Sequence, residues 1–490
     1  MPNDPTPDAT AVPTRNEEDR ALVEAFFRAG QGHVFRFFGS LTDSSRRALL
    51  DQARTVDLEL LSRLVAEIAR PVERAPLERV APVPALESHP GGRGSREAAE
   101  VRAEGEALLR AGRVAAFVVA GGQGTRLGVE APKGTFEVGP ISRKPLFRIH
   151  AEKVLYWSRK FGRPIPLVVM TSAATHAATV EFFDRHRRFG LRPEDVFFAQ
   201  QAMVPAVDRQ GKLLLEECDR IFTSPNGHGG SFRALDESGA LRTLENRGIE
   251  HLFYFQVDNP LLPVLDPLFL GHHARHRSEM SSKVVEKTAP EEKVGVVASV
   301  EGRMTVIEYS ELSPELARRR DASGRLEFRH GSIAVHAFTL PFVRRMAENS
   351  SLLPFHRAEK KIPHVGRDGV RVDPDAPNGV KFETFVFDAL PLARNPVLVR
   401  VEREEEFYPL KNAEGENSPE AVRRAIVEQH ASWLRAAGVD VPRDESGRSL
   451  AVEIGPLFAV DAESLAARLA SSGVEYRPDL LLDESGGPAR

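Results

Sequence analysis

The stretch Val114–Gly128, VAAFVVAGGQGTRLG, decides how the rest of the chain is read. An unbroken apolar run, Val114 to Ala120, leads straight into Gly121, Gly122 and Gly124. A short apolar run bounded by turn glycines reads as a buried strand. Glycines at its end let backbone N–H groups approach a nucleotide with no Cβ in the way. A dinucleotide-binding fingerprint does not fit, because after Gly122 and Gly124 the next glycine is Gly128, one position too late for G-x-G-x-x-G. A Walker A loop does not fit either, since no Gly-Lys-Ser/Thr opens a helix. What remains is a glycine turn followed by Arg126 and, seven residues on, by Lys133 in Pro132-Lys133-Gly134. Two fixed cations beside a glycine turn suit a triphosphate whose leaving pyrophosphate has to be neutralised.

Outward from this stretch the pattern alternates. Apolar runs at Pro166–Thr171, Val196–Gln200, Leu252–Val257 and Lys283–Glu286 read as strands. Helical patterns at Leu146–Lys160, His176–Phe189 and Pro267–Ser278 lie between them. Such alternation predicts βαβ units, an α/β fold with a mixed or mostly parallel Rossmann-like sheet, and helices on both faces. Ligands of such sheets bind where strand carboxyl ends meet loops. This core is expected over residues 96–395. Before it, residues 1–20 read as a disordered tail. Residues 21–95 read as a helical region, with apolar spacing of three and four through Leu22, Phe26, Val34, Phe37, Leu58, Leu61 and Leu64, followed by an extended Pro/Gly-rich connector at Pro71–Ser95. After it, residues 396–490 read as a small α+β domain with a strand at Val397–Val401 and a long helix at Pro419–Ala437.

Composition narrows the function classes. The chain has 490 residues, 41% of them hydrophobic and 28% charged, and a net charge of -4. No long basic stripe is present, which argues against nucleic acid as a partner. The single cysteine, Cys218, excludes an intramolecular disulfide and fits a reducing, cytoplasmic setting. The N-terminal residues lack the apolar segment of a signal peptide, and no apolar run is long enough to span a bilayer, so no membrane role and no obligate protein partner is expected. His272 and His276, spaced i, i+4, lack a third ligand nearby and read as a solvated helix face.

The motifs that follow the glycine turn carry a resemblance. They are Ala29–His33 (AGQGH), Gln200–Pro205 (QQAMVP), Pro225–Gly230 (PNGHGG), Val257-Asp258-Asn259, Lys283–Lys287 (KVVEK), Val306–Glu311 (VIEYSE), Pro377–Asp388 (PNGVKFETFVFD) and Pro409–Asn412 (PLKN). Together with GGQGTRLG and PKG, in this order, they resemble the eukaryotic-type UDP-sugar pyrophosphorylases, and most of all the UDP-N-acetylglucosamine branch. The resemblance implies a GT-A-like nucleotidyltransferase core. It further implies a Mg²⁺-dependent uridylyltransferase, with Mn²⁺ as a substitute, that joins UTP to N-acetylglucosamine 1-phosphate and releases pyrophosphate. A UDP-glucose or broad-specificity pyrophosphorylase is the alternative within the family. A non-catalytic UDP-sugar-binding protein is the alternative outside it.

Residue roles follow from the resemblance. Arg126, Lys133 and Lys411 are implied as catalytic cations and Asp258 as the metal ligand, a hard oxygen donor suited to Mg²⁺; capping of the turn at Asn259-Pro260 is the local alternative for Asp258, and the metal is favoured over it. Gly121, Gly122 and Gln201 are implied at the uracil, Gln201 because an amide both donates and accepts. Gly227 and Lys381 are grouped with the nucleotide contacts. Gly295 and Glu308 match positions that meet sugar hydroxyls, and Phe385 and Phe387 match those walling an N-acetyl pocket. His228 and Ser332 stand where the N-acetylglucosamine branch carries Asn, so both bear on sugar choice and neither on the transfer itself.

Overall fold

The core of the fold is a sheet built around the apolar run Val114–Val119. The computed structural model describes residues 9–68, 79–349, 352–470 and 474–484. Seven of its strands matter here: β1 (Val114–Val119), β2 (Leu167–Thr171), β3 (Val196–Gln200), β4 (His251–Gln256), β5 (Met280–Glu286), β6 (His330–Thr339) and β7 (Val397–Arg400). Their order is β7-β5-β6-β4-β1-β2-β3, with Leu86–Glu87 at the edge beside β7. Strand β1 pairs in parallel with β4 and β2, and β2 with β3, so four neighbouring strands run the same way. All six residues of β1 are buried, as expected for a strand covered by helices on both faces.

Strand β6 breaks the parallel run. It lies antiparallel between β4 and β5, and its pairing with β5 shifts register between Ser282 and Val284. Opposite that shift Ala334 has φ +54°, a bulge conformation that bends the strand just beyond Ser332.

The chain packs as two compact units, each drawn from three separate stretches: Met1–Glu73, Ala202–Gly230 and Leu353–Val386 in the first, and Arg74–Gln201, Ser231–Leu352 and Phe387–Arg490 in the second. The blocks read along the sequence are continuous, whereas these units are not. The reason lies in the first unit's core. Phe26, Phe35, Phe38, Leu49 and Leu61 from the N-terminal helices pack with Val207, Leu213, Ile221, Val380 and Phe382 from the two later stretches. The first helix, Glu17–Arg28, is capped by the Asn16 side chain and begins inside the stretch read as a tail; residues 1–8 of that tail lie outside the described residues. The Ala29–His33 motif has a structural use here. The Gln31 amide donates to Gly211 O at 2.9 Å and accepts from Leu213 N at 2.9 Å.

In the second unit the connector's described part is an edge element. Val80–Pro82 pairs with Val296–Val300, and Leu86–Glu87 with β7, which are positions that tolerate proline; residues 69–78 lie outside the described residues. The helix Pro419–Ala436, capped by Ser418, packs with Val452–Ile454, Ala462–Leu469 and Leu480–Leu482 around a small core of its own. Among the described residues no helix is long and apolar enough to cross a membrane. One expectation is corrected. His272 does not lie on a solvated face: it is 3% exposed and its Nε2 reaches Ser88 O at 3.2 Å, because the helix Pro267–Arg275 is buried along most of its length.

Two buried imidazoles make this unit acid-sensitive. Burial, with Lys153 adding repulsion, lowers the pKa of His150 to about 3 and that of His430 to about 3. Both are neutral in the fold and titrate near 6.5 once unfolded. Their contribution to stability is therefore complete above pH 6.5 and lost as pH falls towards 3. At pH 5 each costs about 2 kcal/mol, at 1.36 kcal/mol per unit of difference. The buried Glu406 carboxyl, raised to about 7, acts in the opposite direction over the same range but is outweighed by the two rings. The urea midpoint of this unit is therefore expected to fall between pH 7.5 and pH 5; a midpoint that rises would contradict the buried, neutral state of both rings.

Candidate active site

The four parallel strands β4, β1, β2 and β3 end at one edge of the sheet, and the residues after each end carry the site. Strand β1 leads into Gly121 and Gly122, β2 into Ser172, β3 into Gln201 and β4 into Asp258. Ser172 Oγ donates to Gly121 O at 2.7 Å, and Gln201 N donates to Thr171 O at 2.8 Å. At Gly121 an added Cβ would lie 2.9 Å from Gln201 Nε2, so a larger residue there would push the Gln201 amide from its place. The Gln201 amide, 6% exposed, is thereby held directly against the glycine turn, and the two residues implied at the uracil stand together.

The turn folds back on itself. Gly124 N donates to Ala131 O and Lys133 N donates to Gly122 O, so Pro132-Lys133-Gly134 returns beside the glycines. At Gly134 an added Cβ would come within 2.3 Å of the Phe147 ring, which explains the glycine after the lysine. Lys133 Nζ then reaches Asp258 Oδ2 at 3.3 Å and Leu410 O at 3.1 Å. Leu410 N donates to Asp258 O at 2.8 Å. The Pro409–Asn412 segment is thus tied to Asp258 twice, once through its backbone and once through Lys133, and Lys411 follows directly. Lys133 and Asp258 are each about four-fifths buried, with side-chain exposures of 20% and 18%. Arg126 stands in the exposed 3-10 turn Thr125–Leu127 and has no ion-pair partner among the described residues.

Asn259, read only as the neighbour of Asp258, secures this arrangement. Its Nδ2 donates to Glu406 O at 2.6 Å and its Oδ1 accepts from Tyr408 N at 3.1 Å. The Asp258 carboxylate accepts from Lys133 rather than capping the turn that follows it. One carboxylate, partly open and paired through one oxygen, fits a Mg²⁺ that takes its remaining ligands from phosphates and water. Among the described residues no group of three or more His, Cys, Asp or Glu gathers to hold a metal unaided.

Three residues implied at the sugar also meet. Ser332 N donates to Gly295 O at 2.8 Å, and a Cβ on Gly295 would lie 3.2 Å from Glu308 Oε1. Gly295, Glu308 and Ser332 come from three different segments, and the bulge beyond Ser332 sets where its hydroxyl stands.

Gly227, His228, Phe385 and Lys381 belong to the first unit. Gly229 N donates to Thr384 O and Thr384 N to Asn226 O, so the Pro225–Gly230 turn is laced to the Glu383–Val386 stretch. His228 Nδ1 accepts from Val386 N at 3.1 Å, which places the ring proton on Nε2. Burial, with His356 nearby, lowers the His228 pKa to about 4, so the ring is neutral at physiological pH. Phe385 lies tilted by about 30° against both imidazoles, with ring centres 5.2 Å from His228 and 4.6 Å from His356. His356 carried no signal in sequence, since nothing about a lone histidine in a short strand announces a ring partner. Lys381 lies over the Phe222 ring at 4.9 Å, and burial lowers its pKa. Phe387, 7% exposed, opens the last stretch of the second unit.

Comparison with known proteins accords with these motifs. The family model described as UTP--glucose-1-phosphate uridylyltransferase matches residues 87–447. A human "UDP-N-acetylhexosamine pyrophosphorylase-like protein 1" is 38% identical over 486 residues, covering 93% of this chain and 96% of that one. The "UDP-N-acetylglucosamine pyrophosphorylase" of Saccharomyces cerevisiae is 35% identical, covering 85% of this chain and 91% of its own length. Among solved structures, the uridine diphosphate N-acetylglucosamine pyrophosphorylase of Trypanosoma brucei, in complex with an inhibitor, aligns with a TM-score of 0.78 and 28% identity over 95% of this chain and 99% of that one. The glycine turn at the end of β1, the lysine and aspartate it brings together, and relatives matched over nearly their whole length lead to one conclusion: the chain belongs to the UTP--glucose-1-phosphate uridylyltransferase family of UDP-sugar pyrophosphorylases.

Proposed function

We propose that the protein transfers the uridylyl group of UTP to N-acetylglucosamine 1-phosphate, giving UDP-N-acetylglucosamine and pyrophosphate. The observation that carries this reading is the junction of Lys133, Asp258 and the Leu410-Lys411 segment beside the Gly121–Gln201 contact, where Gly121, Gln201 and Asp258 follow the carboxyl ends of the parallel strands β1, β3 and β4. Gly121, Gly122 and Gln201 bind uracil through backbone groups and the glutamine amide. Lys133, Arg126 and Lys411 neutralise the phosphates, and a Mg²⁺ held by Asp258 would supply further charge stabilisation there. A sugar phosphate oxygen is already an anion at neutral pH and attacks the α-phosphorus of UTP in line, so no general base is needed. Catalysis then rests on positioning and charge. The single cysteine accords with a cytoplasmic enzyme.

The residues proposed to bear on sugar choice are Gly295, Glu308, Ser332 and Phe387 in the second unit and, by resemblance, His228 and Phe385 in the first. Ser332 is shorter than the asparagine of the N-acetylglucosamine branch and lacks its amide, and His228 is kept neutral by burial, with His356 nearby, while the bond from Val386 N sets its tautomer. A neutral hydrogen bond lost or gained is worth about 0.5–1.5 kcal/mol, only several-fold in rate. N-acetylglucosamine 1-phosphate is therefore expected to be the best substrate, with measurable turnover of glucose and galactose 1-phosphates. Pyrophosphate release with UTP and the GlcNAc, GalNAc, Glc and Gal 1-phosphates, compared as kcat/KM, tests this. A hundredfold preference for glucose 1-phosphate would overturn the N-acetyl assignment and favour the UDP-glucose reading. No pyrophosphate from any sugar would leave a UDP-sugar-binding protein.

A further inference from the structure

Beneath the site lies a group of buried charges that the transfer reaction does not use. Lys283, the first residue of the KVVEK motif, is completely buried, with 0% side-chain exposure. Its ammonium donates to Asp266 Oδ2 at 2.6 Å and to Glu406 Oε2 at 2.5 Å, and sits 5.4 Å from the centre of the Phe269 ring. Burial opposes its charge, but the two carboxylates outweigh burial and raise its pKa, so the ammonium persists.

Burial, with Asp266 adding repulsion, pushes the Glu406 carboxyl up to about 7, against the pull of Lys283. Three ionisable groups sealed in a core are a poor way to add stability, and replacing such a triad by well-packed apolar residues of similar volume is often neutral or favourable, so its presence points to a demand for geometry. The position of Glu406 supplies that demand. Glu406 O accepts from Asn259 Nδ2 at 2.6 Å, and the same Asn259 receives Tyr408 N through its Oδ1. Two residues further on, Leu410 N donates to Asp258 O, and Leu410 O accepts from Lys133 Nζ. Hydrogen bonds and short stretches of chain together therefore connect Lys283, through Glu406 and Asn259, to Asp258, Leu410 and Lys133, with Lys411 next after Leu410 in the chain. A second buried lysine anchors the other side: Lys153 Nζ donates to Pro260 O at 2.6 Å and Leu262 O at 2.7 Å, just past Asp258. Gln429 holds Leu261 O at 3.0 Å and also bonds Glu405 O.

We infer that Lys283 and Glu406 are positioning residues for the uridylyl transfer, setting where the Asp258 carboxylate and the Lys411 ammonium stand relative to Lys133. This rests on the proposed reaction. Misplacing a reacting or charge-bearing group by about 1 Å can cost 10²-fold in rate, without any loss of substrate contacts.

The test uses two full-length variants. Glu406→Gln keeps the shape and one acceptor and creates no unpaired charge. The triple variant Lys283→Met/Asp266→Asn/Glu406→Gln removes all three charges together. Thermal melting reports the fold, and steady-state kinetics with a Mg²⁺ titration report the site. The folded triple variant is expected to lose at least tenfold in kcat and to need several-fold more Mg²⁺, with KM for UTP within about threefold of wild type. Glu406→Gln is expected to lose several-fold in kcat with the same split. A folded triple variant with wild-type kcat and Mg²⁺ dependence would overturn the inference. If the triple variant does not fold, Glu406→Gln decides by the same criteria. Loss of fold in both would make the cluster a stability element and would also overturn it. Absence of turnover in the wild type under the same assay would instead defeat the proposed reaction, which separates the two failures.

Discussion

An Asp258→Asn variant is expected to fold and to lose about 10³-fold or more in kcat at millimolar Mg²⁺, corresponding to about 4 kcal/mol of transition-state stabilisation. An amide is a far poorer ligand for a hard divalent cation than a carboxylate, so adding ordinary Mg²⁺ should not rescue it. In the wild type, EDTA should abolish activity and Mg²⁺ or Mn²⁺ should restore it. The two arms separate two roles of one side chain. Asp258 also pairs with Lys133 at 3.3 Å, so the substitution disturbs the lysine even if no metal is involved. Full activity in chelator together with a dead Asp258→Asn would show that the carboxylate serves to orient Lys133. Folding is expected to survive because the carboxylate is partly open, Leu410 N bonds the Asp258 backbone carbonyl and not its side chain, and Lys133 keeps Leu410 O as a partner.

Lys133→Ala is expected to lower kcat by about 10²–10³-fold, the scale for removing one preorganised group that meets developing charge. Its contact with Asp258 is long, at 3.3 Å, and about a fifth of each side chain still reaches solvent, so the fold is expected to persist with only a modest fall in melting temperature. Kinetics of the well-folded variant, measured with UTP and N-acetylglucosamine 1-phosphate, give the answer directly. Wild-type turnover would remove Lys133 from the machinery. The Lys133→Ala/Asp258→Asn double variant should cost much less than the product of the two single losses, because the residues touch and act on the same phosphates.

Much of this was legible in the sequence, and the reason is local. Val114–Val119, Leu167–Thr171 and Val196–Gln200 announce themselves as unbroken apolar runs, since a strand covered on both faces has no polar face to hide. The Gly121–Gly134 turn is legible because glycine and proline act on their own backbone. Strand β6 was not read from sequence. His330, Gly331, Ser332 and His336 interrupt its apolar pattern, and it is held by pairing with β4 and β5 on either side. The two-unit division was equally hidden, because Val380 and Phe382 look like any apolar pair until the N-terminal helices pack with them.

The amino-acid sequence by itself determined the strand-and-glycine-turn core, the family, and the residue types able to handle a nucleotide triphosphate. Only the tertiary structure decided which of them meet. Lys133 reaches Asp258 across 125 residues and Leu410 across 277, and no spacing rule extends so far. Lys283 shows the limit most clearly. In sequence it opens an apolar strand like any flanking lysine, and its complete burial and its two carboxylate partners, Glu406 among them, depend on elements up to 123 residues away. Local propensity acts within a few residues along the chain, whereas burial and electrostatics act through a few ångströms of space, and it is folding that brings the second within reach of the first.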